Sequence, residues 1–284
     1  MQKRILAIHD ISCIGKCSLT VALPVISAAG IETSIIPTAV LSTHTGGFTG
    51  YTYRDLTEDI LPIADHWSTL DIKFDAIYTG FLGSFEQLDI VIELCKRFKK
   101  KDTLLIVDPV MADNGSLYAT FTEEFPLGMK RLCSCADVIT PNITEALLLI
   151  GEEYVKPPYT KEFMEHVMHE LAKLGCGRIV ITGACFDKRR VGAACFDAQT
   201  GATDYIMGEH IEGSYHGTGD VFASALSAAL VKGCTLGDAA QIAVDFTIGS
   251  IKRTLAAHTD VRYGVNFEAG LAGLLPAILA STDK

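Results

Sequence analysis

Short apolar runs alternate with helix-forming stretches along most of the chain, and this alternation constrains the fold more than any other feature. The runs typical of strands lie at 4–8, 33–40, 76–79, 104–107, 138–140 and 179–182. The stretches typical of helices lie at 15–29, 86–100, 145–150 and 162–174. Because parallel strands need crossover connections, this pattern predicts an α/β fold in which helices cover both faces of a mostly parallel sheet.

The later part of the chain departs from this alternation. Runs at 191–196 and 203–207 are separated by a short turn-forming segment that contains Gly201, which predicts a hairpin at an antiparallel edge of the sheet. Beyond the hairpin, the sequence is helical in character nearly to its end. The 284 residues contain neither a repeat nor a linker, and 49% are hydrophobic, so we expect a single domain spanning 1–284.

Composition argues against several classes of function. The formal net charge is −10, so the surface would repel nucleic acids and anionic membranes, and neither partner is expected. The sequence shows neither an apolar run long enough for a membrane span nor an export signal. Its nine cysteines include no Cys-x-x-Cys pair and are typical of reduced thiols. We therefore expect a cytoplasmic location.

A glycine-rich turn precedes a strongly helix-forming stretch at 223–232. In this turn, His-Gly-Thr-Gly-Asp, Gly217 and Gly219 would let the backbone bring free N–H groups, at the positive end of the helix dipole, against an anion. Asp220 would stand beside this anion hole, where a carboxylate can accept a proton while a phosphoryl group arrives. The alternative is a turn that merely caps the helix, and the motif taken alone favours that alternative.

The segment after the first predicted strand is not a phosphate-binding loop of the Walker A type. It lacks the opening glycine and carries Cys17 where Ser or Thr would bind magnesium. Gly-x-Gly-x-x-Gly does not follow the strand either, which argues against a dinucleotide-binding domain. A polar turn with Asp10, Ser12 and Lys16 remains, and it either holds a small molecule or caps the next helix.

Two further loops at strand ends are candidates for ligand contact. Residues 42–51 are rich in glycine and hydroxyl groups and contain His44 and Thr45. Residues 79–84 contain Phe81 and two glycines, and this ring could stack on a flat ligand. The alternatives are a solvated surface loop for the first segment and a core phenylalanine for the second.

Acidic side chains follow two of the central strands. Asp108 and Asp113 come after the fourth predicted strand, and Asn142 and Glu145 come after the fifth. Ligands of such sheets bind outside the carboxyl ends of the strands, so these side chains face the expected site. Carboxylates there suit Mg²⁺, which takes one or two of them and completes its shell with water and phosphate. Asn142 and Glu145 also have the spacing of a capping box, which is a structural alternative.

In chain order, these motifs resemble the ribokinase superfamily and, within it, the pyridoxal (vitamin B6) kinase family. The resemblance spans nearly the whole chain and is carried by Asp108-Pro109-Val110-Met111-x-Asp113, Thr140-Pro141-Asn142-x-x-Glu145 and Gly217-Thr218-Gly219-Asp220. Segments 38–45 and 79–87 are similar to those that line the pyridine pocket of these kinases. The resemblance implies a ribokinase-like fold and the ATP-dependent phosphorylation of the 5′-hydroxymethyl group of pyridoxal, pyridoxine or pyridoxamine.

The resemblance also implies a role for each group of residues. The base and its anion hole would be formed by Asp220, Gly217, Thr218 and Gly219. ATP would be bound by Asp108, Asp113, Thr140, Asn142, Glu145 and Thr182. Magnesium would be bound by Asp108 and Glu145, and a monovalent cation is a further cofactor that the resemblance allows.

The vitamin would be contacted by Asp10, Ser12, His44, Thr45 and Phe81. Residues 114–121 would form a flap over the site, and the family commonly forms homodimers. Asp10 stands where these kinases typically carry serine, and we interpret its carboxylate as an acceptor for the protonated pyridine nitrogen. We also expect the helix-start position of Asp220 to keep that carboxylate ionised.

Two other functions remain open on the sequence alone. Hydroxymethylpyrimidine kinases of thiamine synthesis share the fold and the His-Gly-Thr-Gly sequence, but they often place cysteine where this chain has Asp220. The second alternative is a vitamin-binding regulator that has lost catalysis. The presence of Asp220, Asn142 and Glu145 disfavours a regulator, because such a protein has no use for a base or a phosphate site.

Overall fold

The computed structural model describes residues 2–282, in which strands and helices alternate along much of the chain. The strands are β1 (Arg4–Ile14), β2 (Glu32–Thr43), β3 (Tyr53–Asp55), β4 (Ala76–Thr79), β5 (Leu104–Val107), β6 (Ala112–Asp113), β7 (Ser116–Leu117), β8 (Val138–Ile139), β9 (Arg178–Asp187), β10 (Arg190–Asp197) and β11 (Ala202–Glu209). The helices are α1 (Leu19–Ala28), α2 (Thr57–Ser68), α3 (Phe85–Phe98), α4 (Phe125–Cys133), α5 (Ile143–Ile150), α6 (Lys161–Ala172), α7 (Thr218–Lys232), α8 (Leu236–Ala256) and α9 (Leu271–Thr282). Within 2–282, no helix combines the length and the apolar character that a membrane span requires.

One sheet of nine strands organises the described residues, in the order β11-β10-β9-β8-β5-β4-β1-β2-β3. Every pair from β9 through β8, β5, β4 and β1 to β2 is parallel. The hairpin of β10 and β11 lies antiparallel beyond β9, as predicted. The short strand β3 adds a second antiparallel edge against β2. The predicted fold class, a mostly parallel sheet with an antiparallel edge, is therefore confirmed.

Helices cover both faces of this sheet and divide the core into two layers. One layer packs helices α2 to α6 on the sheet, with buried residues such as Leu88, Met129 and Met168. The other layer packs α1, α7, α8 and α9 on the opposite face. Because successive strand residues point to opposite faces, Ile5 of β1 enters the second layer and Leu6 the first. Strands buried on both sides explain the continuous apolar runs in the sequence.

The first strand ends later in the structure than the sequence predicted. We predicted a strand at 4–8 and a helix from residue 15, but β1 continues to Ile14 and α1 begins at Leu19. Asp10 and Ser12 therefore lie on a strand and not in a turn. The strand continues because β1 stays paired with β2 as far as Thr43, with one irregularity in register on the way.

The sequence pattern also missed α2, α4 and β3. Pro62 lies inside α2, and Pro126 lies in the first turn of α4. Proline inside a helical pattern predicts that the helix is interrupted there. The first turn of a helix nevertheless tolerates proline, because the N–H at that position has no intrahelical partner. Strand β3 has three exposed residues, so it carries no apolar signal.

Candidate active site

The predicted site residues gather at one edge of the sheet, where the parallel strands end. Strands β1, β2, β4, β5 and β8 run in the same direction, so the residues that follow them meet at this edge. The charge of Asp220 raises the pKa of Asp108, and the charge of Asp10 raises the pKa of Asp220, so these three carboxyls lie close together. The glycine-rich turn therefore lies beside the acids of the middle of the chain, as the kinase interpretation needs.

Gly217 shapes the start of α7. It has a φ of 75°, and a Cβ atom at this position would stand 1.9 Å from the carbonyl oxygen of Lys16, so only glycine fits. The first intrahelical bond joins the Val221 N–H to the Gly217 carbonyl at 3.0 Å. The N–H groups of 218–220 are thus left at the open end of the helix, where the dipole favours negative charge.

Thr218 and Gly219 differ in what they contribute to this turn. Thr218 Oγ1 donates a hydrogen bond to the Tyr215 carbonyl at 3.0 Å, which braces the turn. Gly219 is exposed, and a Cβ atom there would meet nothing within 4 Å. Of the two glycines that the motif contains, only Gly217 has a backbone conformation and surroundings that require glycine. The small size of Gly219 leaves space in front of the helix.

Asp220 lies in the first turn of α7 and is partly shielded from solvent. Burial raises the pKa of Asp220 to about 7, the backbone N–H of Ser18 opposes this rise, and the charge of Asp10 adds to it. The expectation that the helix start keeps Asp220 ionised was wrong, because lost hydration outweighs the dipole. A carboxyl with a pKa near neutrality is suited to act as a general base.

Asp108 follows β5 and is only 7% exposed. Burial raises the pKa of Asp108, the charge of Asp220 raises it further, and the hydroxyl of Thr140 opposes the rise. Two carboxyls in one buried site resist joint ionisation unless a cation neutralises them. The pair therefore fits a site that receives a metal ion or another cationic group.

Asn142 and Glu145 form a complete capping box at the start of α5. Asn142 Oδ1 accepts the Glu145 N–H at 3.0 Å, and Glu145 Oε2 accepts the Asn142 N–H at 2.9 Å. Glu145 Oε1 accepts the Met111 N–H at 3.1 Å, and Asn142 Nδ2 donates to the Ala112 carbonyl at 2.8 Å. The structural alternative named from the sequence is thus present, and it also ties α5 to the segment that follows β5.

The two residues proposed for magnesium fit that ion unequally. Both oxygens of Glu145 accept backbone N–H groups, so Glu145 would contact a metal through water more readily than directly. Among residues 2–282, no backbone N–H donates to the carboxylate of Asp108. In the described part of the chain, no three His, Cys, Asp or Glu side chains converge into a metal site. Mg²⁺ needs only one or two carboxylates when phosphate supplies the other ligands, so the donor set is sufficient.

The predicted flap begins as the hairpin of β6 and β7. Asn114 and Gly115 have φ values of 50° and 82°, as a two-residue hairpin turn requires. The carboxylate of Asp113 accepts the Asn114 N–H at 2.8 Å, so this predicted ATP ligand also shapes the turn. The Gly115 N–H donates to Thr144 Oγ1 at 3.0 Å, which anchors the hairpin to α5.

Tyr118 is a site residue that the sequence analysis did not single out. It follows β7, and its N–H donates to the Met111 carbonyl at 2.9 Å. Tyr118 is 38% exposed, so desolvation raises the pKa of its phenol only in part, and the charges of Glu145, Asp113, Asp108 and Asp220 also raise it. The hydroxyl therefore stays protonated at the point where the predicted acids converge. An aromatic residue inside the predicted flap was the available signal.

Asp10 and Ser12 lie side by side on β1, with exposed fractions of 4% and 1%. Ser12 Oγ donates to Asp10 Oδ2 at 3.3 Å. Burial raises the pKa of Asp10, and the hydroxyls of Ser18 and Ser12 oppose this rise. Asp10 therefore places a buried carboxyl near Asp220, and burial disfavours its charged form unless a cationic group comes close.

Lys16 and His44 are held by the segment after α8. Lys16 lies in the bend after β1, and its Nζ donates to Asn266 Oδ1 at 2.6 Å and to Glu268 Oε2 at 3.0 Å, so these two residues hold its side chain. His44 Nε2 lies 2.6 Å from the Arg262 carbonyl, and its Nδ1 accepts the Gly46 N–H at 3.1 Å, which assigns the proton to Nε2. Both ring nitrogens of His44 are occupied, so the ring can meet a ligand only through its face or its carbon edge.

The remaining predicted residues lie around the rim. Phe81 is half-buried, and its ring centroid lies 5.5 Å from that of Phe121 at the end of the flap. Thr182 on β9 forms a bridge with Asn142, which places it beside the predicted nucleotide residues. Thr45 is exposed. Of all the predicted site residues, Thr45 is the one whose position in the fold adds least to the site.

Comparison with known proteins identifies the group to which this arrangement belongs. The family model described as phosphomethylpyrimidine kinase matches residues 22–264. A putative phosphomethylpyrimidine kinase from Bacteroides thetaiotaomicron, solved with pyridoxal, is similar with a TM-score of 0.92 and 36% identity over 96% of each chain. Pyridoxal kinase from Lactobacillus plantarum is similar with a TM-score of 0.88 and 32% identity over 100% of this chain and 99% of that one.

Two protein sequences from Bacillus subtilis (strain 168) are also similar. The chain is 29% identical to a pyridoxine kinase over 185 residues, which are 64% of this chain and 66% of that protein, just under two thirds of its length. It is 28% identical to a hydroxymethylpyrimidine/phosphomethylpyrimidine kinase over 226 residues, which are 77% and 78% of the two proteins. The fold is ribokinase-like, and the chain belongs to the family of the phosphomethylpyrimidine and pyridoxal kinases.

Proposed function

We propose that the protein transfers the terminal phosphoryl group of ATP to the 5′-hydroxymethyl group of pyridoxal, pyridoxine or pyridoxamine. The observation that carries the proposal is the meeting of Asp220, Asp108 and the open start of α7 at one edge of the sheet. A base beside a hole for negative charge suits phosphoryl transfer to an alcohol. Similarity to a pyridoxal kinase, and to a structure solved with pyridoxal, supports the vitamin as acceptor.

Asp220 would accept the hydroxyl proton while the new O–P bond forms. An alcohol is a far weaker acid than a carboxyl, so the base cannot ionise it beforehand, and such general-base help contributes roughly 10²–10⁴ in rate. The N–H groups of 218–220 would stabilise the charge on the transferred group, and losing one such donor in an enzyme costs about 3 kcal/mol. Base and anion hole would therefore contribute comparably.

The nucleotide would lie beside β5, β8 and β9. We propose Asp108 as the metal-binding carboxylate, with Glu145 acting through water. Asp113, Thr140, Asn142 and Thr182 would line the groove for the phosphates. Magnesium, when bound, would neutralise phosphate charge. The positive charge would also favour the ionised form of Asp108, against the rise in pKa that burial causes.

The vitamin would lie against β1 and the loop after β4. Asp10 would offer a buried carboxyl there, and a ring protonated at its nitrogen would favour the ionised form of that carboxyl against the effect of burial. Ser12 holds the Asp10 carboxylate in place. Phe81, backed by Phe121, offers an apolar wall for the ring. His44 would contribute the face of its ring, and Thr45 would contribute a hydroxyl from the rim.

The proposal is tested by ADP release with each vitamer in turn and with hydroxymethylpyrimidine, for wild type and Asp220→Asn. We expect turnover with at least one B6 vitamer and a loss of roughly 10²–10⁴ in kcat for Asp220→Asn. A protein that bound a vitamer without releasing ADP would be a regulator, and the kinase proposal would fail.

Hydroxymethylpyrimidine is the second candidate acceptor. It is favoured by similarity to a hydroxymethylpyrimidine/phosphomethylpyrimidine kinase over 77% of this chain, which exceeds the 64% matched by the pyridoxine kinase. Asp220 favours the vitamin, because the pyrimidine kinases often carry cysteine at this place. The ratio of kcat/KM for pyridoxal and hydroxymethylpyrimidine, measured in one assay, decides between them.

A further inference from the structure

Ser18 holds a backbone conformation that side chains rarely adopt. Its φ and ψ are 57° and −132°, far from the left-handed helical region that tolerates some side chains. Among residues 2–282, the other non-glycine residues with positive φ are Asn114, in the flap turn, and His258, two residues after α8. Strain of this kind persists where the surroundings impose it, and beside an active site it points to a function.

The side chain of Ser18 is not used to cap the helix that it precedes. Ser18 is the N-cap residue of α1, yet its hydroxyl forms no capping hydrogen bond. The residue is 8% exposed, and its backbone forms a bridge with Ile11 of β1. This bridge brings Ser18 next to Asp10. The Ser18 hydroxyl opposes the rise in the pKa of Asp10, and the Ser18 N–H opposes the rise in the pKa of Asp220, so both groups lie near these carboxyls.

Asp10 has one oxygen that needs such a donor. Its Oδ2 accepts the Ser12 hydroxyl at 3.3 Å, whereas its Oδ1 is buried and accepts no hydrogen bond from the described residues. An unpaired buried oxygen of a carboxylate is costly. The charge of Asp10 also reaches Asp220, so a residue that donates to both carboxyls relieves their repulsion.

We propose that Ser18 is a positioning residue that joins the two carboxyls of the site, with its N–H holding Asp220 and its hydroxyl holding Asp10. This double contact explains why the chain keeps a side chain where glycine would be free of strain. The inference rests on the function proposed above, in which Asp220 is the base and Asp10 faces the vitamin. Replacement by glycine would keep the N–H but remove the hydroxyl.

Two substitutions separate the strain from the hydroxyl. Ser18→Gly removes both, whereas Ser18→Ala removes only the hydroxyl. The melting temperature should therefore be higher for Ser18→Gly than for Ser18→Ala. Both variants should nevertheless raise KM for the preferred vitamer about tenfold, the effect of losing one hydrogen bond to a charged group, while KM for ATP stays unchanged.

A matched control is His258→Gly, which relieves another positive φ, of 51°, at an exposed residue outside the site. It should stabilise the protein and leave both KM values unchanged. Wild-type kinetics in Ser18→Gly would overturn the inference. An equal rise in both KM values would also overturn it, since that result would indicate a general disturbance of the loop.

Calorimetric titration with the vitamer, in the absence of ATP, provides a second readout for Ser18→Gly, the variant with the more relaxed backbone. Its dissociation constant should rise about as much as KM, and an unchanged constant would count against the contact with Asp10. A failure of the proposed function is distinguishable, because wild type would then phosphorylate none of the B6 vitamers, whatever its activity on hydroxymethylpyrimidine. A failure of this inference alone would leave an active wild type matched by both Ser18 variants.

Discussion

Burial governs the acid–base chemistry of the individual carboxyls. Asp10, Asp108, Glu145 and Asp220 all have pKa values raised by desolvation, although Asp220 begins a helix whose dipole favours its anion. Hydrogen bonds from backbone and hydroxyl groups oppose the shift without cancelling it. Burial therefore disfavours the charged form of each of these carboxyls, and substrates or metal ions that bring positive charge will favour it.

The pH dependence of the reaction should report Asp220. Its pKa is raised to about 7, and only the ionised carboxylate can accept a proton, so kcat/KM should rise as the pH increases through about 7. Initial rates between pH 5 and pH 9, at saturating ATP and low vitamer, measure this limb. A profile that does not rise between pH 6 and pH 8, as expected for an aspartate with the ordinary pKa near 4, would show that burial does not control the base.

The same shift predicts that Asp220→Asn stabilises the protein. Between the unfolded pKa near 4 and the folded pKa near 7, the folded wild type binds more protons than the unfolded chain, so its stability falls as the pH rises. Asparagine cannot ionise and avoids this loss. We expect a gain of roughly 1–3 kcal/mol at pH 8, discounted for partial solvent exposure. Denaturant melts should show a smaller gain at pH 5; an equal gain at both values would contradict the linkage.

Asp10 should contribute to binding of the vitamin and not of the nucleotide. Asp10→Asn keeps the shape and removes the charge that would face a protonated ring nitrogen. KM for the vitamer should rise about tenfold, as expected for loss of a charge-assisted hydrogen bond, with KM for ATP nearly unchanged. Equal effects on both constants in steady-state assays would reject this role.

At the scale of elements, the start of α7 is where backbone geometry and chemistry depend on each other. Gly217→Ala would add a Cβ atom 1.9 Å from the Lys16 carbonyl at a φ of 75°, so it must displace the turn. We expect a loss of more than 10² in kcat, because the N–H groups of the helix start would move away from the phosphoryl group. Steady-state kinetics and a thermal melt measure the two effects.

Gly219→Ala is the matched control for that substitution. A Cβ atom at 219 meets nothing within 4 Å, and Gly219 has no positive φ, so the fold should tolerate alanine there. Any loss of activity in Gly219→Ala would therefore report contact with a ligand. A Gly217→Ala variant with kinetics and stability like those of wild type would contradict the proposed role of the turn.

The flap could be predicted from the sequence, but the hydrogen bonds that anchor it could not. The sequence placed a flap at 114–121 from family resemblance, and residues 114 and 115 do form a hairpin turn. The bonds that anchor it come from α5, where Thr144 accepts the Gly115 N–H and Asn142 donates to the Ala112 carbonyl. Residues about 30 positions apart form these bonds, so local spacing could not show them.

At the scale of the whole molecule, one sheet lies between the two core layers. The layers on its two faces share the strands, so neither layer can lose its packing without exposing the other. We therefore expect a single unfolding transition, with a calorimetric enthalpy equal to the van't Hoff enthalpy, in a scan without ligands. Two resolved transitions would contradict the proposed single domain. The homodimer and the cytoplasmic location stay predictions.

The amino-acid sequence by itself determined the fold class and predicted the edge of the sheet at which the candidate site residues lie. Strands buried on both faces must be apolar throughout, and the helices between them force parallel pairing, so the pattern of residues contains the architecture. The same rule places residues 108 and 142 at one edge, because ligand-facing loops follow parallel strands. Residue 220 follows the antiparallel strand β11, so only the tertiary packing brings it close to residue 108. The strand that continues to Ile14 was missed, because pairing with β2 extends it beyond its apolar run.

Only the tertiary structure decided the state and the availability of the side chains. The pKa of Asp220, the occupied nitrogens of His44 and the backbone bonds of Glu145 all depend on neighbours distant in sequence or on depth in the fold. Desolvation and hydrogen bonding act over a few ångströms in space, whatever the separation along the chain. A sequence motif can therefore identify a candidate base or ligand-binding residue, but packing in the folded protein decides whether that side chain is charged and free to act.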